Sequence, residues 1–292
     1  MELFTLTNRS LRVTISTEGA EMQSIYDTVS EREVMWQGDP KYWGGRSPVL
    51  FPAVGGLWNG VFHYEGRTYK MPKHGFVRAK TWKGTQYTPA RARFEYMSTA
   101  DDMKSFPFPF RVTIDYSLWN RKVRAKFYVD NYSDKPMFFQ MGGHPALNLP
   151  GFNENEVENG YVKFIGNPTH ILRAREQGCL QPEHFDVPLN GEGLLPVSVA
   201  TFANEAIILE KSEVKGLILL DTQRRPVATV YSTAPCWLIW SMQGVHCPYV
   251  CFEPWYGLPD YEGFDGPLNM RPYVQRLGSR RMWEGGYTIE IP

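Results

Sequence analysis

Apolar and polar residues alternate strictly along two neighbouring segments of this chain. Because the side chains of a β-strand point alternately to the two faces of a sheet, such alternation predicts two strands that each bury one face. Residues 119–122 separate the segments and are few enough to form a turn, so a long antiparallel hairpin is expected. The apolar positions are Val112, Ile114, Tyr116 and Leu118 in the first segment and Val123, Ala125, Phe127 and Val129 in the second.

Similar runs predict several more strands. A second hairpin is expected over residues 61–71, turning at Glu65 and Gly66. The 26 glycines and 22 prolines recur at short intervals and provide turns. Helical periodicity longer than two turns is absent, so we predict an all-β fold, a large antiparallel sandwich or barrel. The other predicted strands are residues 11–16, 137–141, 217–220, 227–231, 237–240, 249–253 and 287–291.

The whole chain, residues 1–292, is predicted to form a single domain. Neither a shift in composition nor a flexible linker divides it. A domain of this size buries roughly 75% of its unfolded surface, which is enough for stability without a disulfide or a structural metal. Residues 150–160, rich in Asn, Glu and Gly, are predicted to be a loop.

The charge of the chain argues against nucleic acid and anionic membranes as partners. Lys plus Arg and Asp plus Glu each number 31, and no long run of one sign occurs. Binding to either of these polyanions requires a basic face. We therefore expect a small-molecule ligand, while the oligomeric state is not indicated by the sequence.

The cysteines and the N-terminus indicate a cytoplasmic protein with free thiols. Cys179, Cys236, Cys247 and Cys251 form no Cys-x-x-Cys pair, so a zinc site of that type is not expected. The first residues lack a basic segment followed by an apolar one, as a signal peptide would have. No apolar run approaches the roughly 18 residues of a membrane span.

Two ionisable residues each stand immediately before a proline, His144 before Pro145 and Glu253 before Pro254. A residue before proline is restricted to extended geometry, so a stiff backbone would aim both side chains. An imidazole and a carboxylate held in this way suit a general acid and a general base. Either residue alone is more often an exposed residue at the end of a strand, so the interpretation depends on its neighbours.

The neighbours of Glu253 favour a cavity. If residues 249–253 form a strand, Tyr249, Cys251 and Glu253 share one face, and the opposite face belongs to the core. Trp255 and Tyr256 follow at once, and aromatic rings are natural walls for the C–H faces of a sugar. Core packing is the alternative role for each ring taken singly.

Two further clusters carry cations. Alternation over residues 73–78 predicts a strand with His74, Phe76 and Arg78 on one face, where the imidazole and guanidinium could hold hydroxyl or anionic oxygens. An exposed edge strand is the alternative. Arg46 precedes an apolar strand, where it would either clamp a ligand or cap the core. A metal triad of His74, His144 and Glu253 is not favoured, because such sites usually draw two ligands from one short strand.

Taken in order, five segments resemble the aldose 1-epimerase (galactose mutarotase) superfamily, most closely its LacX-like branch. The resemblance runs over nearly the whole chain. It implies a β-supersandwich, a large twisted antiparallel sandwich that holds a sugar in a cleft on one sheet. The matching segments are residues 36–40, 46–55, 74–78, 143–148 and 251–257.

The resemblance also implies roles for individual residues. Glu253 aligns with the general base of the family and His144 with its general acid, while His74 aligns with a histidine that binds the sugar and helps polarise the ring oxygen. No cofactor is implied. The expected function is therefore that of an isomerase, an aldose 1-epimerase that interconverts α and β anomers through ring opening.

Two positions depart from the family pattern. An arginine that touches substrate in the family is Gly56 here, and Arg46 and Arg78 are the candidates for supplying the cation instead. The family's sugar-binding aspartate aligns with Glu205, whose arm is longer. These departures leave two alternatives open: a non-catalytic sugar-binding or sensing protein, and a hexose-6-phosphate 1-epimerase with Arg46, Arg78 and Lys73 as phosphate ligands.

Overall fold

The computed structural model describes residues 1–292, except for the side chain of residue 176, and consists mainly of β-strands. One short helix, α1 (Asp102–Ser105), and four 3₁₀ turns (Trp58–Gly60, Val77–Ala79, Glu176–Gly178 and Leu268–Met270) make up the helical part. None of the helices described combines the length and hydrophobicity needed to cross a membrane. In chain order the strands are β1 (Leu3–Thr7), β2 (Leu11–Ser16), β3 (Met22–Asp27), β4 (Arg32–Glu33), β5 (Val49–Leu50), β6 (Val61–Tyr64), β7 (Arg67–Lys70), β8 (Lys83–Thr88), β9 (Arg91–Met97), β10 (Phe110–Trp119), β11 (Lys122–Asn131), β12 (Met137–Phe139), β13 (Met141–Gly143), β14 (Ala146–Asn148), β15 (Tyr161–Gly166), β16 (Leu195–Pro196), β17 (Ile207–Leu209), β18 (Val214–Leu220), β19 (Pro226–Ser232), β20 (Cys236–Trp240), β21 (Tyr249–Tyr256), β22 (Gln275–Leu277) and β23 (Met282–Glu290).

The largest sheet has nine strands in the order β16-β15-β18-β19-β23-β11-β10-β9-β8. The predicted long hairpin lies in it as β10 and β11, with Val112 opposite Val129 and Leu118 opposite Val123. The turn is tight because Asn120 adopts a left-handed backbone, with φ of 51°. The all-β prediction and this hairpin are confirmed.

A second sheet of six strands carries β17, β20, β21, β13 and β5 in that order, and β14 also pairs with β21. The remaining strands form a four-stranded sheet, β1 to β4, and two ribbons, β6-β7 and β12-β22. The β6-β7 ribbon is the predicted second hairpin, with its turn at Glu65 and Gly66.

The main core lies between the nine-stranded and six-stranded sheets, as the predicted sandwich requires. Phe51, which follows β5 of the six-stranded sheet, packs against Phe110 of the nine-stranded sheet with ring centroids 4.9 Å apart. Ile239 of β20 and Phe252 of β21 are fully buried in this core. Side chains at the alternate positions of these two strands therefore point to the other face of the six-stranded sheet.

Two predicted strands differ from the structure. Residues 73–78 do not form a strand, because His74 and Gly75 adopt left-handed backbones (φ 68° and 70°) and the 3₁₀ turn Val77–Ala79 follows. The predicted strand over residues 137–141 is divided at Gln140 between two sheets. The buried amide of Gln140 accepts from the N–H of Val54 and donates to the carbonyl of Leu258.

Candidate active site

His144 and Glu253 meet across one antiparallel ladder. β21 pairs with β13 on one side of this point, where Gly142 lies opposite Trp255, and with β14 on the other, where Ala146 lies opposite Cys251. The register is the same on both sides, so it places His144 directly opposite Glu253. Their side chains approach to 3.2 Å between Nε2 and Oε1.

The prolines explain why the ladder opens at this pair. Pro145 and Pro254 have no backbone N–H and cannot donate to a ladder. β13 and β14 accordingly stop on either side of His144 and Pro145, while the N–H of Phe252 still donates to the carbonyl of Pro145 at 3.0 Å. The extended geometry predicted for residues that precede proline holds for Glu253, which lies within β21.

Both members of the pair are buried, and much of their hydrogen-bonding capacity is unused. Glu253 has no exposed surface and His144 is 7% exposed. Among the residues described, both carboxylate oxygens of Glu253, Nδ1 of His144 and Nε1 of Trp255 lack a hydrogen-bond partner. Leaving one such group unpaired costs about 1–3 kcal/mol, so a ligand with hydroxyl groups would recover this free energy.

Burial favours the uncharged form of each partner. It raises the pKa of Glu253 well above its ordinary value, although the charge of Lys73 and the nearby indole N–H of Trp255 act in the opposite direction. That indole lies beside the carboxylate but falls short of hydrogen-bond geometry. Burial also lowers the pKa of His144 to about 3. Burial of the pair therefore favours a carboxylic acid beside a neutral imidazole, two groups with one transferable proton between them.

His74 is held as a neutral hydrogen-bond donor. Its Nδ1 accepts from the backbone N–H of Gly55 at 3.0 Å, and the backbone N–H of His74 donates to the Gly55 carbonyl at 2.9 Å. Because Nδ1 is an acceptor, the ring proton of the neutral form resides on Nε2. Burial, followed by the charges of His144, Lys73 and Arg78, lowers the pKa of His74 well below its ordinary value.

Tryptophan rings surround the acid–base pair. Trp43 stacks on the imidazole of His144 with ring centroids 4.8 Å apart, and Trp240 packs edge-on against Trp43 at 5.5 Å. The carbonyl of Trp43 accepts from the indole N–H of Trp36 at 2.8 Å, which anchors the loop. The sequence interpretation missed Trp43 and Trp240. Trp240 could have been found, because alternation along β20 places it on the same face as Leu238, which pairs with Glu253. The sequence around Trp43 carried no comparable signal.

The acid–base pair and the rings of Trp43 and Trp240 line a cavity of about 430 Å³ on the face of the six-stranded sheet that points away from the main core. That volume lies within the range of roughly 300–1,000 Å³ typical of ligand sites. An adjoining cavity shares Ala174, Glu205 and Gln243 with it. The predicted site residues that line the first cavity are His74, Arg78, His144, Glu205, Glu253 and Trp255.

Arg46 is the predicted site residue that the structure places elsewhere. Its guanidinium donates to the side-chain oxygen of Gln23 at 2.8 Å and to the Gln23 carbonyl at 3.3 Å. Its backbone N–H donates to the carboxylate of Glu21. Arg46 thus ties two surface segments together and does not line the cavity. Lys73, named beforehand as a candidate phosphate ligand, does line it.

Gly56 has no space for a side chain. A Cβ atom there would collide with the carbonyl oxygen of Gln177. The backbone of the neighbouring segment lies directly over the glycine, and the Gly56 N–H donates to the Gly178 carbonyl at 3.2 Å. An arginine at this position is therefore incompatible with the path of residues 177–178. The cations beside the cavity are Lys73 and Arg78 instead.

Cys251 lies close enough to the pair for the three side chains to surround an ion. One ligand atom from each of His144, Cys251 and Glu253 lies within 4.8 Å of the others. Burial and the charge of Glu253 raise the pKa of the Cys251 thiol well above its ordinary value. A thiol that stays protonated is a weak metal ligand, so this donor set fits a metal poorly. The acid–base interpretation requires none.

Comparisons with known proteins agree on one family. The sequence profile described as Aldose 1-epimerase matches residues 2–261. The chromosomal protein LacX of Lactococcus lactis subsp. lactis is 26% identical over 295 residues, covering 98% of each chain. A galactose mutarotase related enzyme from Lactobacillus acidophilus is 29% identical, with a TM-score of 0.89, covering 100% of this chain and 97% of that one. A galactose mutarotase-like protein from Lactobacillus casei ATCC 334, at 23% identity, has the same fold, with a TM-score of 0.93 and full coverage of both chains.

Proposed function

This chain belongs to the aldose 1-epimerase family, and from that premise we propose that it interconverts the α and β anomers of an aldose by acid–base ring opening. The observation that carries the proposal is the contact of 3.2 Å between His144 Nε2 and Glu253 Oε1 in a buried cavity. An acid and a base in contact, with unpaired carboxylate oxygens, suit proton exchange with two oxygens of one substrate.

The reaction needs two proton transfers in each direction. The Glu253 carboxylate takes the proton of the anomeric hydroxyl while the His144 imidazolium protonates the ring oxygen, and the bond between C1 and the ring oxygen breaks. Rotation about C1–C2 turns the aldehyde over. In closure, His144 removes the proton of the hydroxyl formed from the ring oxygen, and Glu253 returns a proton to the former carbonyl oxygen. The pair ends with the protons it began with.

Substrate binding prepares the pair for this reaction. Before a substrate binds, burial favours neutral Glu253 and neutral His144. Sugar hydroxyls would donate to the unpaired carboxylate oxygens and so favour the ionised acid. The proton then needs only the short path between Oε1 and Nε2 to produce the carboxylate and imidazolium that ring opening requires.

The rest of the cavity suits a pyranose. Nε2–H of neutral His74 is a donor for a ring or hydroxyl oxygen, and Glu205 is an acceptor for hydroxyl groups. The rings of Trp43, Trp240 and Trp255 provide apolar walls for the C–H faces. Such sites combine apolar walls with a few polar groups that fix orientation.

A sugar phosphate is the second candidate substrate, and one observation favours it. Lys73 and Arg78 line the cavity, and the Arg78 guanidinium donates to the Lys73 carbonyl at 3.2 Å. Within the described part of the chain, neither cation has a carboxylate partner in an ion pair. Two such cations beside a sugar cavity suit a phosphate group.

The test is the rate of anomer exchange, measured by NMR saturation exchange for a panel of aldoses and their 6-phosphates. We expect exchange of at least one sugar above the spontaneous rate, with loss of that exchange in His144→Ala and in Glu253→Ala. If phosphate is recognised, Lys73→Met and Arg78→Met will weaken turnover of the 6-phosphate far more than that of the free sugar. Sugar binding without exchange in the wild type would identify a binding or sensing protein and overturn the proposal.

A further inference from the structure

A second cluster of ionisable side chains lies outside the acid–base site. It comprises His170, His184 and Glu210, whose possible ligand atoms all lie within 4.8 Å of one another. His170 Nε2 lies 3.2 Å from Glu210 Oε1. The rings of His170 and His184 stack with centroids 4.1 Å apart and an angle of 25° between their planes. None of these side chains has a role in the reaction proposed above.

A chain of hydrogen bonds determines which ring nitrogen of His170 carries a proton. Thr169 donates its backbone N–H to Glu213 Oε2 at 2.8 Å and its hydroxyl to Glu213 Oε1 at 2.9 Å. A hydroxyl has only one proton to donate. Towards His170 Nδ1, which is 3.0 Å away, the Thr169 oxygen is therefore an acceptor. Nδ1 carries the proton, and Nε2 of neutral His170 has a lone pair.

This tautomer directs the lone pair of Nε2 towards an oxygen of Glu210. A lone pair and a carboxylate oxygen 3.2 Å apart repel each other unless a proton or a metal cation lies between them. Ligand atoms bound to one tetrahedral zinc ion lie roughly 3.4 Å apart, which matches this separation. A metal-bound histidine also typically donates its other ring N–H to a fixed acceptor, as His170 does to Thr169.

We propose that Nε2 of His170, a ring nitrogen of His184 and the carboxylate of Glu210 bind a divalent transition metal of the zinc class. Imidazole and carboxylate are suitable ligands for such ions. His184 is exposed, so its ring can turn out of the stack with His170 to direct a nitrogen at the ion, and water completes the coordination. Lys211 Nζ, 3.8 Å from Glu210 Oε1, competes for the carboxylate, but its side chain is 52% exposed and can move into solvent.

The metal would link segments that form a wall of the sugar cavity. Leu172, two residues after His170, bridges to Ile208, two residues before Glu210, and Ile208 lines that cavity. Ile171 bridges to Phe185, which follows His184. Binding to the folded chain alone stabilises it in proportion to the logarithm of metal concentration. The bound ion is thus expected to raise the melting temperature and to fix the wall, independently of the sugar chemistry.

The test is calorimetric titration of chelator-treated full-length protein with ZnCl₂, with CoCl₂ as a spectroscopic probe of coordination. We expect one equivalent of zinc to bind, and affinity to fall at least ~10-fold in His170→Ala, His184→Ala and Glu210→Gln. Thr169→Val removes the acceptor that fixes the tautomer, so a loss of roughly 10–100-fold is expected although no ligand changes. Lys211→Met is expected to tighten binding, because it removes the competing cation.

His63→Ala is the matched control. His63 Nδ1 also lies 3.0 Å from a threonine hydroxyl, that of Thr68, but no carboxylate contact is found for it within the described part of the chain. The His63→Ala variant should bind zinc with the affinity of the wild type, and the Glu253→Gln variant should still bind one equivalent of zinc. Absence of zinc binding in the wild type would overturn the proposal. Equal affinity in wild type and His170→Ala would overturn it as well.

Discussion

His144 lies directly opposite Glu253 in an antiparallel ladder, on the face of the six-stranded sheet that points away from the main core. Opposed residues of such a ladder have Cβ atoms about 4.5–5.5 Å apart, a distance set by the backbone. Flanking prolines open the ladder at this position and restrict both strands to extended geometry. The acid and base are therefore positioned by a sheet rather than by mobile loops.

Because His144 and Glu253 share one transferable proton, we expect their contributions to catalysis to be strongly non-additive. His144→Gln and Glu253→Gln should each lower the exchange rate by about 10²- to 10⁴-fold. The double variant should be little slower than the slower single variant, since either change already disables the shared step. Saturation-exchange NMR at a fixed sugar concentration measures all four proteins. Effects that multiply would show that the two residues act independently.

Lys73→Met should shift the pH dependence of the reaction. The charge of Lys73 lowers the pKa of Glu253 and so opposes the larger, raising effect of burial. The pair reacts with one shared proton, so the rate is lost above the pKa of Glu253, where that proton leaves; without the Lys73 charge this pKa rises and the loss occurs at a higher pH. The basic limb of the pH–rate profile should therefore move to higher pH. Lys70→Met, in the exposed end of β7, is the control and should leave the limb in place.

Glu253→Gln should stabilise the protein at neutral pH although it slows exchange. The pKa of Glu253 is raised in the folded state, so its contribution to stability is complete below the unfolded value of roughly 4.3 and is lost as pH rises towards the folded value. Glutamine does not ionise and avoids that loss. We expect a gain of about 1–2 kcal/mol in the free energy of unfolding at pH 7.

Urea unfolding at pH 7 and pH 3.5 measures this gain. The difference in the free energy of unfolding between wild type and Glu253→Gln should shrink at the lower pH, where the Glu253 carboxyl is protonated and as uncharged as the glutamine. A gain that is equal at the two values would assign the stabilisation to packing and contradict the ionisation argument.

Gly56→Ala should destabilise the fold, because its Cβ would collide with the Gln177 carbonyl. Forcing a methyl group into a packed position typically costs about 1–3 kcal/mol. Thermal unfolding measures the effect. Gly191→Ala is the matched control, since a Cβ there meets nothing within 4 Å. Gly56→Arg should be more damaging still and should not increase exchange. Unchanged stability in Gly56→Ala would show that residues 177–178 can move away.

Local pattern was sufficient to predict much of the fold. Alternation identified both hairpins, and the one over β10 and β11 turns where it was predicted to turn. It failed at residues 73–78, where the left-handed backbones of His74 and Gly75 interrupt any strand. The alternation pattern also failed at Gln140, whose buried side-chain amide makes hydrogen bonds with residues outside the predicted strand. In each case contacts with distant parts of the chain outweigh the local preference.

The sequence by itself determined that His144 and Glu253 would be extended, because proline restricts the residue before it. It also determined which face of β21 carries Glu253, since side chains alternate along a strand. Only the tertiary structure decided that the two are opposed, because strand register depends on packing between residues far apart in the chain. The same holds for Gly56 and Arg46: whether a side chain has space or reaches a cavity is set by segments that folding brings alongside it.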